Sequence, residues 1–372
     1  MIEPEPLQQF HRTCVRLGNR TLSYFSGCDY FRLSSHPRVL ARLQKSISQF
    51  GLSVAASRLT TGNHCLYREL EQALARFFGA EAALLVANGY SSNLAAAQAL
   101  AGEVTRAFVD ERAHPSLQDA MRFLQCPVRR FKHRTPDSLA HQLSAAGQGG
   151  RVLVATDGLF SHDGSVAPLS EYRRLLPRSA LLLVDDAHGA GVLGAKGRGA
   201  VEHEGLARRG LIQTVALSKA FGAFGGAILG TRALRGRVLE RSHVFAGSTP
   251  IPLPLARAAL EAIHIREKDS SLKLRLDHNA AGLKAGLCEA GFDLERTPGP
   301  IIALVAQHPG SNGRLRRALL EAGIYPPFIK YPGGDANGYF RFVISSEHSP
   351  EQLENLRRVL TSPPFRKAFG AG

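Results

Sequence analysis

The sequence lacks several features that mark particular classes of protein. Its five cysteines are odd in number, scattered, and include no C-x-x-C pair, so neither a disulfide framework nor a zinc site is expected. No apolar run approaches the roughly 20 residues that span a bilayer. The first residues, MIEPEPLQQFHRT, are acidic and polar, whereas a signal peptide would be basic and then apolar. We therefore expect a cytoplasmic protein that does not bind membranes.

Acidic residues are also scarce. The 31 Asp and Glu residues face 46 Lys and Arg residues, which gives a net charge of +15. A basic surface attracts polyanions such as nucleic acid, an acidic carrier or a coenzyme. The basic residues are spread along the whole chain, however, and no recognised nucleic-acid-binding module is present. We interpret the charge as a solvated basic surface and expect no nucleic-acid partner.

The middle of the chain has the pattern of an α/β fold. Short apolar runs alternate with amphipathic stretches between about residues 65 and 230, which indicates a mostly parallel sheet with helices. The predicted strands are Ala82–Ala87, Arg106–Val109, Arg151–Ala155, Ala180–Val184, Thr214–Leu217 and Gly226–Leu229. The predicted helices include Leu66–Phe78, Tyr90–Leu100, Pro115–Leu124 and Ser170–Leu176. Polar or glycine-rich residues follow five of these strands, and we expect them to meet in one crevice at the carboxyl edge of the sheet.

The pattern changes near residue 245. A proline-rich segment, STPIPLP, precedes a long helical stretch from Leu255 to about Leu287. Strand-like runs follow at Ile301–Val305 and Tyr339–Ile344, and a helix is predicted at Pro350–Leu360. We therefore predict an N-terminal arm at 1–40, a large α/β domain at 41–245 and a small α+β domain at 246–372.

A wholly apolar strand ends in two carboxylates in the segment LLLVDDAHG, residues 181–189. A carboxylate at this point often caps the next helix. Alternatively, Asp185 pairs with a cationic ring nitrogen and keeps the ring protonated, which makes it the electron sink that pyridoxal chemistry requires. His188 would then bond near the phenolic oxygen of the cofactor.

A lysine follows another apolar strand in the segment TVALSKAFG, residues 214–222. Such a lysine is often an ordinary surface residue. Surrounded by small residues it would be a good Schiff-base nucleophile. The order Asp185, His188, Lys219, spaced by one strand–helix–strand unit, favours the catalytic interpretation.

These segments, together with others in collinear order, resemble the α-oxoamine synthases, a branch of the fold-type I enzymes that depend on pyridoxal 5'-phosphate (PLP). The resemblance covers about residues 25–360 and is closest in DDAHGAGVLGAKGRG, residues 185–199. The other matching segments are DY at 29–30, SRL at 57–59, TGN at 61–63, NGYSSN at 88–93, DERAHPS at 110–116 and GLFSHDG at 158–164.

The resemblance implies a PLP site in the large domain. Lys219 would carry the cofactor as a Schiff base, and Asp185 would bind its pyridine nitrogen. His188 and Ser161 would lie near the phenolic oxygen. His114 would stack on the ring and could donate a proton to the thioester oxyanion.

The resemblance implies that the backbone N–H groups of Gly89 and Tyr90 bind the phosphate group of the cofactor. These groups lie at the start of a predicted helix, which is a favourable anion site. Ser248 or Thr249 would complete this site from the partner subunit, which implies a homodimer with shared active sites. Ser161, Ser248 and Thr249 could equally be turn residues, because hydroxyls are common there.

The resemblance also implies substrate contacts. Arg341 would bind the amino acid's α-carboxylate with its guanidinium fork, and Asp29 would lie beside the substrate. Arg341 could instead pair with a structural acid, and His114 could be a helix-entry residue without a ligand.

The sequence departs from the family pattern at several positions. Ala216 stands where a phosphate-binding threonine is usual, so Ser218 or Thr214 would have to replace it. The remaining departures are Cys28 and Arg32 in CDYFR for the usual NDYLG, Asp157 for a glutamate, and VAA for a mostly glycine run at 54–56. These changes lie where substrates are expected to bind.

The activity implied is condensation of an amino acid with an acyl thioester, with loss of CO2. The best single assignment that the resemblance implies is an enzyme similar to the 8-amino-7-oxononanoate synthases, which join L-alanine to a pimeloyl thioester in biotin synthesis. The thioester could be carried by coenzyme A or by a carrier protein. Alternatives are a synthase of another amino ketone, a PLP-dependent aminotransferase, or a basic binding protein without the cofactor.

Overall fold

The computed structural model describes residues 6–147, 149–330 and 337–371. Two 3-10 helices, Leu33–Ser35 and Pro309–Ser311, accompany the strands and helices. The strands are β1 (Gln8–His11), β2 (Cys14–Leu17), β3 (Arg20–Ser23), β4 (Ala82–Val86), β5 (Arg106–Asp110), β6 (Val128–Phe131), β7 (Val152–Asp157), β8 (Leu181–Asp185), β9 (Leu211–Ala216), β10 (Gly226–Gly230), β11 (Ile301–Leu304), β12 (Phe328–Ile329) and β13 (Tyr339–Val343). The helices are α1 (Pro37–Phe50), α2 (Cys65–Phe78), α3 (Gly89–Leu100), α4 (Pro115–Met121), α5 (Pro136–Ala145), α6 (Leu169–Leu175), α7 (Ala200–His203), α8 (Arg232–Arg241), α9 (His243–Gly247), α10 (Leu253–Lys268), α11 (Ser271–Glu289), α12 (Asn312–Glu321), α13 (Pro350–Leu360) and α14 (Pro363–Phe369).

The chain forms two compact units. The large unit comprises Leu33–Phe160 and Val166–Asp269, and the small unit comprises the described residues up to Arg32, Ser161–Ser165 and those from Ser270 onward. The chain therefore passes between the units at 32/33, 160/161, 165/166 and 269/270, whereas the predicted domain boundaries were at 40 and 245. The difference arises because α10 packs on α1 and α2, inside the large unit.

The large unit is built on a seven-stranded sheet in the order β4-β10-β9-β8-β7-β5-β6. Only β10 runs antiparallel to its neighbours, so the predicted mostly parallel sheet is confirmed. In the central strands Asp157 pairs in register with Asp185, and Asp185 with Thr214. Three polar residues are thereby aligned across the carboxyl edge of the sheet.

Helix α3 packs closely on this sheet because its sequence is rich in small residues. Ala95, Ala96 and Ala97 are fully buried there. The central strands are apolar and completely buried, as parallel strands covered on both faces must be. This packing fixes the start of α3 beside the end of β9 and the start of β10.

The small unit contains two antiparallel three-stranded sheets, ordered β1-β2-β3 and β11-β13-β12. Its core is rich in aromatic rings, among them Phe340, Phe342 and Phe365. The strands predicted at 301–305 and 339–344 and the helix at 350–360 are present.

Two sequence-based expectations are corrected. The long helical stretch predicted from Leu255 to about Leu287 is interrupted and forms two helices, α10 and α11, because the backbone leaves the helical conformation at Asp269. Strand β6 was not predicted, since its sequence VRRF is exposed and charged and lacks an alternating pattern. In the described part of the chain, none of the helices has the length and apolar character of a membrane-spanning segment.

Candidate active site

A cavity of about 200 Å³ lies at the carboxyl edge of the central strands of the large unit. The turns after β4, β7, β8 and β9 contribute to it, together with the start of α4. Its lining consists of Asn88, Gly89, Tyr90, His114, Ser116, Asp157, Leu159, Asp185, Ala187, His188, Ala216, Ser218 and Lys219. The predicted convergence of strand ends is therefore present, although Asp110, the last residue of β5, does not line the cavity and accepts hydrogen bonds from the backbone N–H groups of Arg112 and Arg134.

Asp185 is held rigidly at the base of this cavity. Its side chain is buried, and its Oδ1 accepts a hydrogen bond of 3.1 Å from the Ala187 backbone N–H. Its Oδ2 accepts a 2.6 Å bond from Asn93 Nδ2. The Thr214 hydroxyl in turn donates to Asn93 Oδ1 at 2.6 Å and fixes the amide orientation. The carboxylate thus presents a fixed acceptor to a ligand in the cavity.

His114 is connected to the same network. Asn93 Nδ2 also donates to the Ser116 hydroxyl at 2.9 Å, and that hydroxyl lies 2.7 Å from His114 Nδ1. The Ser116 backbone N–H donates to Nδ1 at 3.2 Å. A backbone N–H can only donate, so Nδ1 is an acceptor and the neutral ring carries its proton on Nε2. Burial lowers the pKa of His114, with opposing effects of Asp185 and Lys219, so the ring is a neutral donor near pH 7.

Asp157 is a second buried carboxyl group beside Asp185. Burial raises its pKa well above the usual range, and the nearby Asp185 charge adds to this effect. Its Oδ1 accepts a 3.1 Å bond from the His114 backbone N–H. The raised pKa favours the protonated form of Asp157, which can donate a hydrogen bond to a ligand in the cavity.

Lys219 lies in the turn after β9 and is half-buried. Its carbonyl accepts a 2.9 Å bond from the Gly222 N–H. Gly222 has a φ of +57°, and a Cβ there would come 2.1 Å from the Ser34 backbone nitrogen. Only glycine fits this turn, which fixes the backbone that carries Lys219.

The start of α3 forms another wall of the cavity. Asn88 caps the helix by accepting a hydrogen bond from the Ser91 N–H, while the first-turn N–H groups of Gly89 and Tyr90 have no intrahelical carbonyl available. A Cβ on Gly89 would lie 2.8 Å from the Cβ of Ala216. The close approach places the helix start against the end of β9, and its N–H groups make that start a candidate anion site.

The remaining predicted residues of the large unit are placed differently. His188 is buried and lines the cavity, and Ser218 lines it from an exposed position. Ser248 and Thr249 line a separate small cavity, where the Ser248 hydroxyl donates to the Val244 carbonyl. Their predicted role from a partner subunit remains a prediction.

Arg341, Ser161 and Asp29 belong to the small unit. Arg341 donates to the Ser161 carbonyl at 3.0 Å and its NH2 lies 3.7 Å from Cys28 Sγ. Both partners are neutral, and the buried Nε–H has no partner among the described residues. The guanidinium is thus not paired with a carboxylate there, which suits a group that binds an anionic ligand.

Comparisons with known proteins bear on this arrangement. The family described as aminotransferase class I and II matches residues 29–360. The 8-amino-7-oxononanoate synthase of Thioalkalivibrio sulfidiphilus is 35% identical over 346 residues, which cover 92% of this chain and 88% of the relative. The corresponding enzyme of Nitrosococcus oceani is 35% identical and covers 92% of each chain.

A serine palmitoyltransferase variant from S. paucimobilis, solved with a bound PLP–myriocin aldimine, superposes with a TM-score of 0.91. It is 25% identical and covers 99% of this chain and 94% of its own. The chain belongs to the aminotransferase class I and II family, in its α-oxoamine synthase branch.

Within this α-oxoamine synthase the expected phosphate-binding threonine is replaced by Ala216. Of the two predicted substitutes, Ser218 lines the cavity, whereas Thr214 is buried and donates to Asn93. Sequence reasoning assigned no role to Asn93 or Ser116. The signal available was their position in NGYSSN and DERAHPS, four residues into α3 and two residues after His114.

Proposed function

We propose that this protein is a PLP-dependent acyltransferase that condenses an amino acid with an acyl thioester and releases CO2. The best assignment is 8-amino-7-oxononanoate synthase, with L-alanine and a pimeloyl thioester as substrates. The observation that carries this proposal is the presence of Lys219, Asp185 and His114 around one cavity whose wall is a helix N-terminus. The two bacterial relatives support the substrate assignment.

The donor set of the cavity fits PLP. The N-terminus of α3, whose first-turn N–H groups have no intrahelical carbonyl partner, would bind the phosphate. Asp185 would bind the protonated pyridine nitrogen, and Lys219 would bind the aldehyde carbon covalently. His188 and Asp157, which line the cavity, would offer hydrogen bonds to the ring substituents. Bound there, PLP supplies an electron sink for the negative charge that develops at the amino acid's Cα.

The side chains of this protein would then perform the proton transfers and the positioning. Lys219 Nζ would accept the Cα proton of the bound amino acid as a general base. His114 Nε2–H donates to the thioester oxygen as that oxygen gains negative charge. Arg341, whose Nε–H has no partner among the described residues, would bind the substrate carboxylate. The Asn93–Ser116 chain keeps Nδ1 of His114 occupied, so that the proton remains on Nε2.

An experiment on the purified protein tests the assignment. We expect a yellow protein with the visible absorption of lysine-bound PLP, and thiol release when L-alanine and pimeloyl-CoA are both present. Lys219→Ala should lose both properties. Glycine and serine, tested with other acyl-CoA substrates, decide between the synthases of this branch.

The alternatives predict different results. An aminotransferase would convert a 2-oxo acid with no thioester present and would release no thiol. A binding protein without the cofactor would be colourless after purification and would remain so after PLP is added. A homodimeric state and a cytoplasmic location are part of the proposal and are expected from the family.

A further inference from the structure

A basic face lies at the free edge of the sheet in the large unit. Strand β6 is the last strand in the sheet order and pairs only with β5. Three of its four residues are exposed. We use the term edge face for the exposed side chains of Arg122, Arg129, Arg130 and Lys132.

The charge of the edge face is not neutralised by neighbouring acids. The segment between Asp119 and Asp137 contains five Lys and Arg residues and no Asp or Glu. Only Arg122 of the edge face forms an ion pair within the described chain, a 3.6 Å contact with Asp119. On α8, by contrast, arginines at three positions each pair with a glutamate; the pairs are Arg232–Glu81, Arg235–Glu71 and Arg241–Glu103.

A groove of about 560 Å³ lies beside this face, between the end of α4 and β6. Met121, Pro127 and Val128 give it an apolar floor, and Arg130 donates to Gln118 Oε1 at 3.0 Å at its rim. Phe123 is also more than a third exposed nearby. The surface therefore combines unpaired positive charge with apolar contact area, as protein-binding surfaces do.

The edge face is one short helix away from the candidate active site. Helix α4 follows His114 in the cavity and ends at Met121 in the groove, about 10 Å along the helix axis. Tyr90, on the cavity wall, donates its hydroxyl proton to Asp119, which pairs with Arg122. A molecule bound at the edge face is thus close to the reacting groups.

The arrangement of the cations indicates the kind of partner. Adjacent residues of a strand point to opposite sides of the sheet, so Arg129 and Arg130 do not converge on one point. A single phosphate group requires converging donors, whereas an acidic protein surface presents several separated carboxylates. Positive residues on an edge strand also prevent edge-to-edge aggregation, but that role requires neither the groove nor Arg122.

We propose that the edge face binds the acidic surface of a carrier protein that delivers the acyl group as a thioester on a flexible arm. The arm would run along α4 from the groove to the cavity. This inference rests on the proposed function and names the source of its acyl donor.

The test compares two donors of the same acyl group, a thioester of coenzyme A and a thioester of an acidic acyl carrier protein. The variant is Arg129→Glu with Arg130→Glu. The control, Arg174→Glu with Arg178→Glu, makes the same change of charge at exposed positions on and just after α6. Binding of the carrier protein without an acyl group is measured separately by fluorescence anisotropy at low and high salt.

We expect the edge variant to raise KM for the carrier-bound donor at least tenfold and to leave kcat and the coenzyme A reaction within twofold. Carrier binding should weaken in parallel and fall with salt, while the control behaves as wild type. If KM for the coenzyme A thioester rose as much as KM for the carrier-bound donor, the proposal would be overturned in favour of a nucleotide-binding site. Unchanged kinetics with both donors, or no carrier binding by the wild type, would overturn it as well. Carrier binding lost only in the edge variant, without turnover of either donor, would support the docking surface and refute the proposed function.

Discussion

At the scale of single residues, one asparagine connects two predicted active-site groups. Asn93 donates one amide proton to Asp185 and the other to Ser116, and it accepts a hydrogen bond from Thr214. Both amide protons and one of the two lone pairs on the oxygen are used in these hydrogen bonds. Burying the amide therefore costs little free energy. The network fixes the orientation of the carboxylate and the tautomer of His114 together.

The adjacent aspartates provide a matched pair for testing the proposed role of Asp185. Asp185→Asn removes the charge that would bind a protonated ring nitrogen, and a hydrogen bond to a charged group contributes about 1.5–3 kcal/mol. We expect kcat to fall at least about tenfold. Asp186 does not line the cavity, so Asp186→Asn should retain most of the activity. Equal losses in steady-state assays of both variants would contradict the assignment.

Asp186 instead stabilises the loop before α7. Its Oδ2 accepts bonds from the Ala200 N–H at 2.9 Å and from Gln213 Nε2 at 2.7 Å, while Oδ1 has no partner among the described residues. Burial raises the pKa of Asp186 to about 7. The folded protein therefore holds a proton that the unfolded chain releases above about pH 4.

This raised pKa predicts a pH dependence of stability. The contribution of Asp186 is present at pH 4 and is lost as the pH rises toward 7 and above, because the charged form is poorly solvated in the fold. Each pKa unit corresponds to about 1.4 kcal/mol, so the loss amounts to a few kcal/mol. In the Asp186→Asn variant, the side chain can still accept both hydrogen bonds. It does not ionise, so it stays neutral as the pH rises.

We therefore expect Asp186→Asn to gain stability relative to wild type between pH 4 and pH 8. Thermal unfolding midpoints of both proteins across this range provide the measurement. A difference between the two midpoints that does not change with pH would show that Asp186 is ionised throughout.

At the scale of elements, the turn between β9 and β10 sets the position of Lys219. Gly222→Ala would place a methyl group 2.1 Å from the Ser34 nitrogen at a φ of +57°. A left-handed conformation costs a non-glycine residue roughly 1–2 kcal/mol before this clash is counted. We expect a loss of at least about 2 kcal/mol in the free energy of unfolding, together with weaker retention of the cofactor.

Gly236 in α8 is the matched control, since a Cβ there meets no atom within 4 Å. Gly236→Ala should stabilise the protein by about 0.5–1 kcal/mol, because alanine favours the helix interior. Denaturant unfolding and PLP absorbance distinguish the two variants. A Gly222→Ala variant as stable as wild type would show that the turn tolerates a side chain.

At the scale of the whole molecule, the predicted cofactor contacts do not all lie in one cavity of one chain. Ser248 and Thr249 line a different cavity from Lys219. If they serve the site of a partner subunit, each active site needs residues from two chains. This requirement can be tested by mixing inactive variants.

We expect that Lys219→Ala and the double variant Ser248→Ala with Thr249→Ala complement each other. In a mixed dimer one site would combine the intact lysine of one chain with the intact hydroxyls of the other, and thiol release should return. Each variant alone should have low activity. If a purified heterodimer of the two variants showed no return of thiol release, the proposal of a shared active site would be contradicted.

The amino-acid sequence by itself determined the central sheet and was sufficient to predict which residues are reactive. Short apolar runs such as LLLVD, bounded by polar and glycine residues, indicate buried strands, and each strand in a parallel sheet places the residues after it at the same edge. Lys219, Asp185 and His114 were predicted from such positions together with the family resemblance. The local sequence pattern was sufficient for these predictions because an apolar strand and the polar residues after it lie within a few positions of each other.

Only the tertiary structure decided which distant groups cooperate. Asn93, Ser116 and Thr214 form one network with Asp185 although they come from three different elements. The raised pKa of Asp157 depends on burial beside a carboxylate 28 residues away in sequence. The break at Asp269 and the basic edge at β6 likewise depend on what packs nearby. Hydrogen bonding, burial and charge neutralisation are properties of neighbours in space, and a pattern along the chain does not contain them.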